Sequence, residues 1–161
     1  MSILVFIIIL MPLSILIHEL GHAIIPGLFS NKPVKVVLGN IAQLEENKIK
    51  FRIGKFHFYF TLSLQGFCYA DITTLSKSKK ILFFLFGPLA SLLVSLISFS
   101  SLGYIGNSVF REVIVYTANF NLFMFIVTII PITYPKWYLY AGRKSDGLNI
   151  IETLKRSDIA A

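Results

Sequence analysis

Charge is scarce in this chain and negative charge scarcest: its 161 residues carry eight aspartates and glutamates against fifteen lysines and arginines. A composition 14% charged and 55% apolar lies far from the roughly 25% charged of a soluble domain, and it reads as an integral membrane protein. Cys68 is the one cysteine. That excludes an intramolecular disulfide and any cysteine-based metal cluster, and its ordinary reading is a small buried residue. No internal repeat or low-complexity linker divides the chain, so residues 1–161 are expected to form a single membrane-embedded domain. The N-terminal apolar stretch lacks a charged leading region and an A-x-A cleavage site, and it is read as a retained span. The formal charge of +7 raises the question of nucleic acid. The basic residues flank apolar runs, however, so a lipid bilayer surface accounts for them and nucleic acid is excluded as a partner.

What is present is a set of apolar runs long enough to cross roughly 30 Å of hydrocarbon. They predict spans over about 2–28, 81–105 and 113–133, an inner loop over 31–80 and a C-terminal tail over 134–161. Nine basic residues lie in the first loop, one between spans two and three, and five after span three. The positive-inside rule then predicts a multi-pass protein of the cell (plasma) membrane with its N-terminus outside and its C-terminus cytoplasmic. In the first loop Ile49, Phe51 and Ile53 alternate with Lys48, Lys50 and Arg52, and Phe56, Phe58, Phe60, Leu62 and Leu64 continue in shifted phase. A two-residue turn at Gly54-Lys55 pairs Ile53 with Phe56, Phe51 with Phe58 and Ile49 with Phe60 on one face. The expected fold is therefore mainly α, a core of three transmembrane helices with a β-hairpin in the first inner loop. An amphipathic helix is expected from Leu148 to Ile159.

The first span is interrupted by His18-Glu19-Leu20-Gly21-His22. Residues four apart share a helix face, so His18 and His22 can offer ring nitrogens to one tetrahedral zinc while Glu19 sits beside the open position. Ionisable residues inside a span cost about 2.5 to 3.5 kcal/mol each and usually mark function. With only three histidines in the chain, chance is a poor explanation for this spacing.

A catalytic zinc needs a third protein ligand, and few oxygen donors remain. Asp146, before Gly147, is the leading candidate, although Ser145 or Asp146 could instead cap the C-terminal helix. Asp71 is the runner-up. Glu112 falls at the opposite membrane face, and Glu152 and Asp158 sit in a basic tail. The hairpin pairing puts His57 opposite Arg52 on a polar surface. Asn119 and Asn121 lie inside span three, where an amide must find partners: a neighbouring helix, a substrate backbone or an oxyanion. Gly87-Pro88 in span two provides either a kink or a close helix approach.

Taken in order, His18-Glu19-Leu20-Gly21-His22, Gly87-Pro88-Leu89-Ala90 and Asp146-Gly147 resemble the site-2 protease family of intramembrane zinc metalloproteases. Two features depart from that family's pattern: Thr128-Ile129-Ile130-Pro131 carries threonine in place of an asparagine, and Ser91 stands where an asparagine is common. The resemblance implies His18, His22 and Asp146 as zinc ligands and Glu19 as general base. It implies a hydrolase that cuts a peptide bond in or near a membrane span of a protein or peptide precursor. The residues between Tyr134 and Lys144, with Trp137, Tyr138 and Tyr140, are then expected to make an interfacial detour before the chain returns to the metal. An edge of the hairpin is expected to present the unwound substrate. A different class of reading is a non-catalytic membrane protein that grips a partner's transmembrane helix.

Overall fold

The computed structural model describes residues 1–39, 51–60, 64–106 and 108–156. Three helices are long and apolar enough to cross a membrane: α1 (Ser2–Phe29), α2 (Lys77–Ser101, prolonged by a 3-10 turn to Tyr104) and α3 (Val109–Ile129). Leu93, Ile97 and Ile126 point outward from α2 and α3, as side chains facing lipid do. Helix α1 runs through the His-Glu interruption without a break, with one π-helical stretch at Phe6–Leu10. Pro12 lies two residues beyond it, and the wider turn falls where the missing N–H of Pro12 denies Ile8 a helical donor.

The other two spans begin and end earlier than their apolar runs suggest. Helix α2 starts at Lys77, so three lysines of the expected loop occupy its first turn, where Lys77 donates to Arg156 O, Lys80 donates to Thr73 O and Lys79 lies over the Phe29 ring. Helix α3 starts at Val109 because the Ser108 side chain accepts from Arg111 N, and it stops at Ile129 because Pro131 forces Ile130 into an extended conformation.

Helix α2 packs between α1 and α3. At Gly21 a Cβ would lie 2.4 Å from the Phe86 carbonyl oxygen, so the absent side chain is what lets α1 and α2 touch.

The first loop holds more than a hairpin. Strands β1 (Val34–Leu38), β2 (Phe51–Ile53), β3 (Phe56–Phe60) and β4 (Gly66–Tyr69) form one sheet in the order β2-β3-β1-β4. The expected pairings Ile53 with Phe56 and Phe51 with Phe58 are present, turning at Gly54 with φ of 56°. Ile49 and Leu62 lie outside the described residues, and Leu64 falls beyond the end of β3. The unanticipated strand β1 runs parallel to β3 and antiparallel to β4. Its Val34 and Val36 bury against Phe58 and Ala23, which seats the sheet on α1. Helix α4 (Asp146–Lys155) follows; Ile159 and Asp158 lie outside the described residues.

Between α3 and α4 the chain makes a closed excursion. Thr133 pairs with Lys144, Tyr134 N donates to Arg143 O, and Gly142 N donates back to Tyr134 O with φ of 74° at Gly142. Trp137 stands at its tip, 84% exposed, as a side chain of the membrane interface does.

Candidate metal centre

One helical turn separates His18 from His22 on α1, and both rings are buried against α2. Each ring is held by its Nδ1: that of His22 lies 2.6 Å from the Phe83 carbonyl and that of His18 lies 2.9 Å from Ser91 Oγ. A carbonyl can only accept, so His22 carries its proton on Nδ1 when neutral and presents a bare Nε2. The approach depends on Gly87, where an added Cβ would lie 2.1 Å from His22 Nε2. Gly87-Pro88 thus makes room for a ring.

Asp146 arrives from the other end of the chain, on the first turn of α4. The capping role falls to Ser145, whose Oγ accepts from Leu148 N and donates to Ile130 O. This leaves the Asp146 carboxylate free to face the histidines. Gly147 permits the approach, since a Cβ there would lie 1.9 Å from the Ile129 carbonyl oxygen. Asp146 Oδ2 stands 3.6 Å from His18 Nε2 and 3.5 Å from His22 Nε2, and the two Nε2 atoms are 3.2 Å apart. An ion bound tetrahedrally at about 2.0–2.2 Å separates its ligands by about 3.3–3.6 Å. The three atoms therefore match the spacing of a metal's ligands, and the group can hold a metal ion. Burial alone would raise the Asp146 carboxyl, but His22 and His18 beside it outweigh that and hold it well below the usual carboxylate range.

Glu19 is buried next to this triangle, against the backbone of Cys68 on β4. Both glutamate and histidines line a cavity of about 390 Å³, whose walls include Phe120 and Met124 of α3, Gly66 of β4 and Tyr140 of the excursion. Cys68 lines it too, only half-buried; burial, with the Glu19 charge beside it, pushes its thiol up and away from the thiolate a metal would need.

The remaining candidates lie elsewhere. Asp71 pairs with Lys32 and accepts from Thr73 N at 2.9 Å, contacts that hold its carboxyl well below the usual range, and it is no part of the metal triangle. Glu112 accepts from Ser2 Oγ near the start of α3, and Glu152 pairs with Lys144. Neither Asn119 nor Asn121 lines the cavity. Asn119 is exposed and donates to Val115 O within its own helix, whereas Asn121 is fully buried and donates to Ser14 Oγ and Thr117 O. Asn121 ties α3 to α1. His57 pairs opposite Arg52 as expected, yet its Nε2 is shielded from solvent rather than displayed.

The contacts that two residues make with the histidines were not anticipated from the sequence. A backbone carbonyl such as that of Phe83 has no residue-type signal, while Ser91, one turn past Gly87 on the same helix face, did carry one. Comparison with family models, with curated proteins and with solved structures returned no match.

Proposed function

We propose that this chain is a zinc-dependent intramembrane endopeptidase. The observation that carries the reading is the triangle of His18 Nε2, His22 Nε2 and Asp146 Oδ2 with Glu19 buried beside it in a cavity between apolar helices. The motif order shared with the site-2 protease family supports it. His18, His22 and Asp146 would hold the ion. Bound there, zinc would supply Lewis-acid polarisation of the scissile carbonyl and a water whose pKa is brought towards about 7. Glu19 takes the proton of the attacking water and returns it to the leaving amine, which requires a carboxylate that is not itself a ligand. Ser91 and the Phe83 carbonyl keep both imidazoles in register during that exchange.

A helical peptide bond is shielded, so the substrate must be extended at the cut. The strand suited to present it is β4, the sheet edge that lines the cavity, rather than the β2–β3 hairpin, which stands two strands away. The substrate class is a membrane-embedded protein or peptide, with the N-terminus of the enzyme outside and its C-terminus cytoplasmic.

The test compares wild type with Glu19→Gln, purified in detergent, on labelled single-span peptides. Wild type should cleave, and Glu19→Gln should bind zinc in equal amount yet lose cleavage by a factor of at least about 100, the scale of a general base. Cleavage retained in Glu19→Gln would remove the mechanism. Zinc bound by both with cleavage by neither would favour a non-catalytic membrane binding protein.

A further inference from the structure

Among the described residues, strand β4 pairs with β1 along one side only. Gly39 N donates to Gln65 O at 2.9 Å, so the backbone of Gln65 turns toward β1 and, by the alternation of an antiparallel strand, that of Gly66 turns away from it. That outward position is occupied. The Tyr140 hydroxyl accepts from Gly66 N at 2.9 Å and lies 3.4 Å from Gly66 O, to which it donates. One residue back, Gln65 Nε2 donates to the Leu139 carbonyl at 2.6 Å. The Tyr140 ring meets Phe67 edge-on at 5.4 Å, and the Arg143 guanidinium covers the same Phe67 ring at 4.4 Å. The second outward position, Cys68, lies against the Glu19 carboxylate. One phenol thus holds the same donor and acceptor that a neighbouring strand would use, two residues along from the catalytic glutamate.

From this we infer that residues 133–144 form an internal strap that competes with extended substrate for the β4 edge, with Tyr140 as its latch. Three features fit a strap that moves as a unit. It closes on itself through the Thr133–Lys144 pairing. It carries Gly142 in the left-handed region at its return. Its far end is clamped by Ser145, which bonds Ile130 O, Ile132 N and Leu148 N together, so the strap can swing while Asp146 keeps its place. Burial raises the Tyr140 hydroxyl well above its ordinary range, which keeps it a neutral donor and acceptor across physiological pH. A substrate must displace the latch, and its apparent affinity is reduced by the fraction of molecules in which the strap is shut. The inference rests on the endopeptidase reading for its substrate, but it concerns binding alone.

The experiment therefore reads binding and not cleavage. Zinc-loaded Glu19→Gln protein in detergent micelles is titrated into a fluorescein-labelled peptide of alternating valine and threonine, followed by anisotropy. Adding Tyr140→Phe removes the hydroxyl and keeps the ring, and should tighten Kd about three-fold to ten-fold, the scale of one neutral hydrogen-bonded contact. An unchanged or weaker Kd overturns the latch. Gln65→Cys with Leu139→Cys, in a Cys68→Ser background and joined by a short methanethiosulfonate cross-linker, should abolish binding until the link is reduced. Equal binding before and after reduction overturns the strap. A chain that passes both tests yet cleaves nothing as wild type would fail the endopeptidase reading alone.

Discussion

Adding one methyl group at Gly87 should disable the metal centre without touching a ligand. A Cβ built there lies 2.1 Å from His22 Nε2, 2.4 Å from Cε1 and 2.6 Å from Cδ2. Ordinary contact is roughly 3.4–4.0 Å, so the imidazole has to retreat by about 1.3 Å or more. It has little freedom to do so. Its Nδ1 is bound to Phe83 O at 2.6 Å, and a retreat draws Nε2 out of the 3.2 Å and 3.5 Å edges it shares with His18 and Asp146. Overpacking of this kind costs about 1–3 kcal/mol, which α2 can absorb while staying folded. The loss of zinc affinity should exceed the 10–100-fold typical of a disturbed outer-shell partner, because a ligand atom itself is displaced. Gly87→Ala and wild type would be equilibrated against a graded series of zinc chelators, with gel filtration in detergent to confirm folding. Gly103→Ala serves as the control, since a Cβ there meets nothing within 4 Å. Wild-type zinc affinity in folded Gly87→Ala would refute the packing of His22 on α2 from which the centre is built.

Asp146→Ala should lose zinc by more than about 100-fold yet keep α4, because the cap is Ser145, while Asp71→Ala should keep its zinc and lose only its contacts with Lys32 and Thr73. Elemental analysis of both variants decides it, and full zinc in Asp146→Ala with none in Asp71→Ala would move the third ligand to Asp71. Reporters fused after Ala161 should label as cytoplasmic and reporters inserted at 106–108 as external, from the nine, one and five basic residues along the chain. The opposite pattern would invert the topology.

Much of this arrangement was legible in the residues because it is written in local spacing. A separation of four positions from His18 to His22 specifies one helix face whatever surrounds them, and the phase shift at Gly54-Lys55 gives the register of β2 against β3. The span limits were misplaced by the length of a turn because hydropathy does not register Ser108 as a cap or Pro131 as a stop. Strand β1 was missed because its partners are distant: Val36 meets Phe58 in parallel and Cys68 in antiparallel pairing, and no two-residue turn announces either. Asn119 and Asn121 looked alike, two positions apart in one span, yet about 200° of helical rotation sends one to the outer surface and the other to Ser14. The β4 edge and the Tyr140 hydroxyl meet across 74 residues of chain, a pairing that no periodicity encodes.

The metal triangle draws its corners from both ends of the polypeptide, two from α1 and one from α4, across more than 100 residues. An ion held in this position would be a cross-link. In polymer terms, a clasp closing a loop of that length removes about 4 to 5 kcal/mol of entropy from a free unfolded chain, and less from one whose spans are already held in a bilayer. Helix α4 has no span of its own, so the clasp tethers the segment least anchored by lipid. Metal supply would then govern how long the molecule survives, and the protection of α4 from added protease, with and without chelator, measures that dependence directly.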